Sequence, residues 1–107
     1  MMSKIGIWED AEPGVKRCIL NAEGSLMMME VHFKEGAQGY EHSHPHEQMS
    51  YCLRGSFDFV IEGQVHRLSA GQSIAIPSHA KHGVTALEED SALLDAFTPI
   101  REDLLRS

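Results

Sequence analysis

Basic residues are scarce in this chain: nine Lys and Arg stand against sixteen Asp and Glu among 107 residues, a formal charge of −7. Proteins that neutralise nucleic acid or an anionic membrane surface need the opposite sign, so neither is expected as a partner. An anionic ligand would have to find a local positive site. Cysteine is scarce too. Cys18 and Cys52 lie 34 residues apart with no CxxC pair, which excludes a disulfide framework, fits a reducing compartment and makes two buried thiols the expectation. Long apolar runs are missing: "LMMM" at 26–29 is far too short to span a bilayer, and "MMSKIGIWED" holds no apolar stretch followed by a cleavage site. A cytoplasmic location is therefore expected. Linkers, internal repeats and low-complexity segments are also lacking. With 42% hydrophobic and 23% charged residues, the chain should form one compact domain over 1–107, its barrel core at about 24–98.

A sustained helical stripe is absent before the C-terminus, and short strands between turn residues take its place. The pattern predicts strands at Leu26–Phe33, Gln48–Arg54, Phe57–Ile61, Gln64–Leu68, Ser73–Ile76, Gly83–Leu87 and Ala92–Phe97. "FDFVIEGQVHRL" reads as a hairpin with Glu62 and Gly63 at its tip. The fold class that follows is all-β, a small jelly-roll barrel that hides its sheet edges, with a short helical turn after Pro99.

What the chain has in abundance is donor atoms in "HSHPHEQ", residues 42–48. His42, His44, His46 and Gln48 share one parity, so in a regular strand all four point to one side, which in a small barrel is the interior. Imidazoles at i and i+2 with a further donor can claim three positions around a divalent ion. A fourth ligand must come from elsewhere, and "IPSHAKH" offers His79 or His82. His32 and His66 stay unassigned as ordinary strand histidines.

These residues resemble the two cupin motifs. Gly36, His42, His44, Gln48 and Gly55 follow the first, G-x5-HxH-x3-Q-x6-G; Gly71, Pro77, His79 and His82 follow the second, 15 residues further on. The family's usual glutamate is Gln48 here, its usual glycine is His79 and its terminal asparagine is Ala86. The resemblance implies one divalent metal, with Ni, Zn, Mn and Fe all open, held by His42, His44, Gln48 and His82. Glu47 should face away, and His46 and His79 would line the pocket or support the ligands. Three neutral imidazoles and an amide leave the ion its full charge, which suits a Lewis acid better than an oxygen-activating centre.

The stretch "LLDAFTPIREDLL" adds Asp95 and Phe97 at i and i+2 on one strand face, with Arg101 beyond the Pro99 turn. A carboxylate, a ring and a guanidinium aimed at one pocket suit an anionic sugar: Arg can grip a carboxylate, the ring can cover a sugar face and the Asp can move a proton. Together with "VKRCIL" and "HGVTALEE", this is similar across most of the chain to the KdgF-type pectin-degradation cupins. Membership would imply a metal-dependent enzyme that converts 4,5-unsaturated uronates to linear 5-keto-4-deoxyuronate. Its functional residues would be Gln48, Asp95, Phe97 and Arg101. The same resemblance implies a homodimer, onto which the segment around Trp8 could swap. The competing readings are a non-catalytic uronate-binding cupin and an Fe(II) dioxygenase.

Overall fold

The computed structural model describes residues 4–106. Ten strands run in order: β1 (Trp8–Asp10), β2 (Val15–Glu23), β3 (Leu26–Phe33), β4 (Gln38–His42), β5 (Glu47–Arg54), β6 (Ser56–Ile61), β7 (Gln64–Ser69), β8 (Ser73–Ile76), β9 (His82–Ala86) and β10 (Ser91–Thr98), followed by helix α1 (Glu102–Arg106). They form two antiparallel sheets, β1-β2-β3-β10-β5-β8 and β4-β9-β6-β7, folded face to face. The all-β jelly-roll expectation holds, as do all seven anticipated strands to within a residue or two and the helical turn past Pro99.

Alternation builds the core. Met27, Met29, Val31 and Phe33 of β3 point inward and are buried, and Phe57 and Phe59 of β6 meet them from the other sheet. Phe33 and Phe57 touch edge to face with centroids 5.0 Å apart, the arrangement that aligns a positive ring edge with a negative face. The β6–β7 hairpin closes as expected through Glu62 and Gly63, both at positive φ (48° and 80°), the backbone a two-residue primed turn requires. Both thiols are free and buried.

Three strands were not anticipated. β2 carries a register shift between Ile19 and Asn21, so its inward set slips by one residue and the apolar alternation is lost midway. β4 (QGYEH) is almost wholly exposed and shows no alternation, and β1 has only three residues. Among the described residues, no helix is long and apolar enough to cross a membrane.

Candidate active site

One end of the space between the sheets is a cavity of about 480 Å³. Its polar end is lined by His42, Gln48, His82, Asp95, Phe97 and Arg101, and its other end by apolar side chains that include Val31, Phe33, Phe59 and Leu93.

The histidines come from two strand ends and a loop. His42 closes β4 and His82 opens β9, and the two are cross-strand partners beyond a bulge that starts at Gly39. That bulge brings backbones into contact: a Cβ on Gly83 would lie 3.2 Å from both Glu41 N and Gly39 O, so glycine permits the approach. His44 lies in the loop between β4 and β5, yet it is buried. Ligand nitrogens of His42, His44 and His82 all lie within 4.8 Å of one another.

Each ring is oriented by a main-chain carbonyl. Nδ1 of His42 lies 2.8 Å from Tyr40 O, that of His44 3.0 Å from His46 O, and that of His82 2.9 Å from Ala80 O. A carbonyl only accepts, so each Nδ1 carries the proton and each Nε2 presents a lone pair. Burial, aided by the Arg101 charge, pushes His44 down to about 4. Burial likewise lowers His82, with His42 and Arg101 adding to the effect against a bond to Ala80. Both rings are then neutral at pH 7, the form that binds metal.

Two atoms test whether an ion fits. Nε2 of His82 is buried with no hydrogen-bond partner among the described residues, a costly state for a polar atom. Nε2 of His44 lies 3.1 Å from Gln48 Oε1. Since the ring's one proton is spent at Nδ1, lone pair faces lone pair there. A cation among the three nitrogens and the amide oxygen relieves both, so these residues fit a divalent metal of the kind imidazole and oxygen donors take.

Gln48 also begins a chain of hydrogen bonds. Its Nε2 donates to Ser50 Oγ (3.1 Å), and Ser50 Oγ donates to Asp95 Oδ1 (2.6 Å). The register dictates this, because Phe97 pairs with Gln48 and Asp95 with Ser50 across β10 and β5. Asp95 is only 6% exposed. Burial raises its carboxyl from 3.8 to about 6, against the opposing pull of the Ser50 bond and the Arg101 charge. Arg101 is also buried; its Cζ lies 5.2 Å from the Phe97 ring centroid, and its Nε and Nη2 donate to Asp103.

The structure thus gathers His42, His44, Gln48, His82, Asp95, Phe97 and Arg101 as the sequence suggested, and Glu47 faces outward. One expectation is corrected: residues 42–48 are not a single extended strand. The chain leaves β4 at His42, bends at Pro45 and His46, and enters β5 at Glu47, because proline cannot continue the ladder and constrains the residue before it. His46 accordingly lines a surface cleft beside Asp103, which His44 also borders, with its ring 5.4 Å from that of His44. His79 is exposed, and only its backbone serves the site, where N–H donates to His44 O at 2.8 Å. Its φ of +67° explains why a glycine usually stands there.

Ser50 and Asp103 were missed. Ser50 shares the parity of Gln48 on β5, and that was the available signal; Asp103 has none beyond its spacing of two from Arg101.

A cupin domain model matches residues 29–97. The chain is 43% identical to the pectin degradation protein KdgF of Dickeya dadantii, over 92% of this chain and 90% of that one. Among solved structures it is similar to KdgF from Halomonas sp. (TM-score 0.88, 42% identity, 92% and 90% of the two chains). It is also similar to an RmlC-like cupin from Shewanella frigidimarina (TM-score 0.84, 38% identity, 91% and 86%).

Proposed function

The chain belongs to the KdgF group of the cupin family, and from that premise we propose that it acts in pectin degradation as an enzyme converting 4,5-unsaturated uronate monosaccharides to linear 5-keto-4-deoxyuronate. The observation that carries this reading is the buried Asp95, raised to about 6, on the same cavity as a buried guanidinium and as His42 and His82 of the three converging imidazoles. A carboxyl of that affinity both takes and returns a proton near pH 7.

The substrate is a cyclic hemiacetal whose ring oxygen is bonded to C5 of the C4–C5 double bond. Asp95 removes the proton from O1; C1 becomes a carbonyl as its bond to the ring oxygen breaks, and that oxygen takes the electron pair as an enolate. Asp95 then returns the proton to C4, and C5 becomes a ketone. No atom is gained or lost. A divalent ion held by His42, His44, Gln48 and His82 would supply Lewis-acid stabilisation of the developing negative charge. Arg101 holds the substrate carboxylate through paired N–H groups. Phe97 covers the sugar face and excludes water.

The partner in this reading is a small anionic sugar, with neither nucleic acid nor membrane involved. The reading also includes a cytoplasmic homodimer. It is supported by an apolar row on the outer face of the larger sheet, where Met28, Ala96, Met49 and Ala75 are successive cross-strand neighbours, Met49 being 65% exposed. Light scattering at the monomer mass would remove that element.

The test is a time course with freshly lyase-generated unsaturated uronate, following the ultraviolet absorbance of the conjugated double bond. Loss faster than the spontaneous reaction, abolished by chelator and restored by metal, is the expected result. Tight uronate binding at the spontaneous rate would instead mark a non-catalytic binding protein.

A further inference from the structure

The buried Arg101 guanidinium is not free to choose its orientation. Asp103 takes its Nε–H at 3.1 Å and one Nη2–H at 2.7 Å, a side-on bidentate pair in which both acceptor oxygens are used. The two residues face different spaces. Arg101 lines the cavity with Asp95 and Phe97, whereas Asp103 sits on the surface cleft behind it, with His46, Pro99 and Glu102. Arginine has five N–H donors in a fixed plane. With two committed to Asp103, those left lie on Nη1 and Nη2, whose edge offers two parallel N–H groups spaced for another carboxylate.

We propose that Asp103 is a positioning residue: it clamps one edge of Arg101 from outside the cavity so that the Nη1/Nη2 edge is held ready for the substrate carboxylate. This rests on the proposed uronate chemistry and specifies how that site recognises its anion. It also gives the clamp a second consequence. Asp95 is a buried carboxylate on the same cavity, close enough to feel the Arg101 charge, yet among the described residues no ion pair joins the two, while Asp103 holds Arg101 at 2.7 Å. An unclamped guanidinium could swing toward Asp95 and engage the group that must accept the proton. The Phe97 ring packs against the guanidinium, its centroid 5.2 Å from Cζ, and Asp103 fixes the group's rotation.

The experiment compares metal-loaded wild type, Asp103→Asn and Asp103→Glu on unsaturated uronate and on its methyl ester, which lacks the anionic carboxylate. Asp103→Asn should raise KM for the uronate about tenfold, with a smaller fall in kcat. Asp103→Glu, which keeps the charge and both oxygens, should recover most of that loss. On the ester, Asp103→Asn should keep the wild-type KM and show only the smaller fall in kcat, because there is no carboxylate for the aligned edge to grip. An unchanged uronate KM in Asp103→Asn, or an equal loss on acid and ester, overturns the positioning role while leaving the proposed reaction intact. A wild type with no activity above the spontaneous rate overturns the proposed reaction and this inference with it. Asp103 has a side chain 58% exposed, so Asp103→Asn should fold; a thermal melt matching wild type verifies that any loss is not unfolding.

Discussion

The two polar halves of the cavity are held in place by different means. Each imidazole is locked by a carbonyl two residues away, at Tyr40, His46 or Ala80. The Gln48–Ser50–Asp95 chain instead crosses between strands, and its last bond joins residues 45 positions apart. Local bonds orient a ring whenever its own turn forms. The long-range chain exists only when β5 and β10 pair in the observed register. Ring orientation in the metal-binding half is therefore set locally, whereas the proton-handling chain, like the convergence of the three rings, depends on strand pairing.

Breaking the histidine half should have the largest effect. The double variant His42→Ala/His44→Ala removes two converging nitrogens, so it should purify without stoichiometric metal and show only the spontaneous rate; elemental analysis beside the absorbance assay checks both. If that variant kept its metal, the ligand assignment would be wrong.

Asp95→Asn should separate the halves. Turnover should fall about 10²–10⁴-fold, as for loss of a general acid–base group, while metal content stays at the wild-type level. Its effect on stability has a defined sign. Because the folded carboxyl is raised from 3.8 to about 6, the folded chain binds this proton more tightly than the unfolded chain. The stability so gained is complete below about pH 4 and is lost as pH rises through about 6. Asparagine cannot ionise, so at pH 8 the variant should be more stable by roughly 1–3 kcal/mol, and the difference should shrink toward pH 4. Urea unfolding at the two pH values measures it; equal differences would mean that Asp95 is not raised.

The smallest effect belongs to Ser50→Ala, which sharpens the comparison by leaving all seven site residues in place. The Ser50 bond favours the ionised carboxylate, so removing it should raise Asp95 further and move the acid limb of the kcat/KM profile upward, with turnover reduced about tenfold or less. An unmoved acid limb would detach Ser50 from Asp95 function.

The same contrast explains what could be read in the chain before its fold was seen. The histidine half was legible because motif spacing carries it: His42 and His44 stand two apart by local geometry, and the resemblance to the second cupin motif added His82. Even there the assumed parity failed at Pro45, and the histidines reach the metal position through a bend. Asp95 and Phe97 were legible as one strand face, but their contact with Ser50 and Gln48 was not, since nothing in either segment states which strand will lie beside it. β2 was hidden because its register shift after Ile19 interrupts the alternation that marks a strand, and Asp103 because an exposed acid near a chain end resembles any solvated residue.

By itself, the sequence determined the alternating strands, the turns at Gly and Pro, the three imidazoles and the two halves of the donor set, because these follow from side-chain chemistry and short-range backbone geometry. Only the tertiary structure decided that His82 is brought against His42 and His44, that Asp95 meets Ser50, and that Asp103 holds Arg101 from behind. Those outcomes depend on strand pairing and on burial, and burial raises Asp95 and lowers His44 and His82 only after water has been excluded from the space between the sheets.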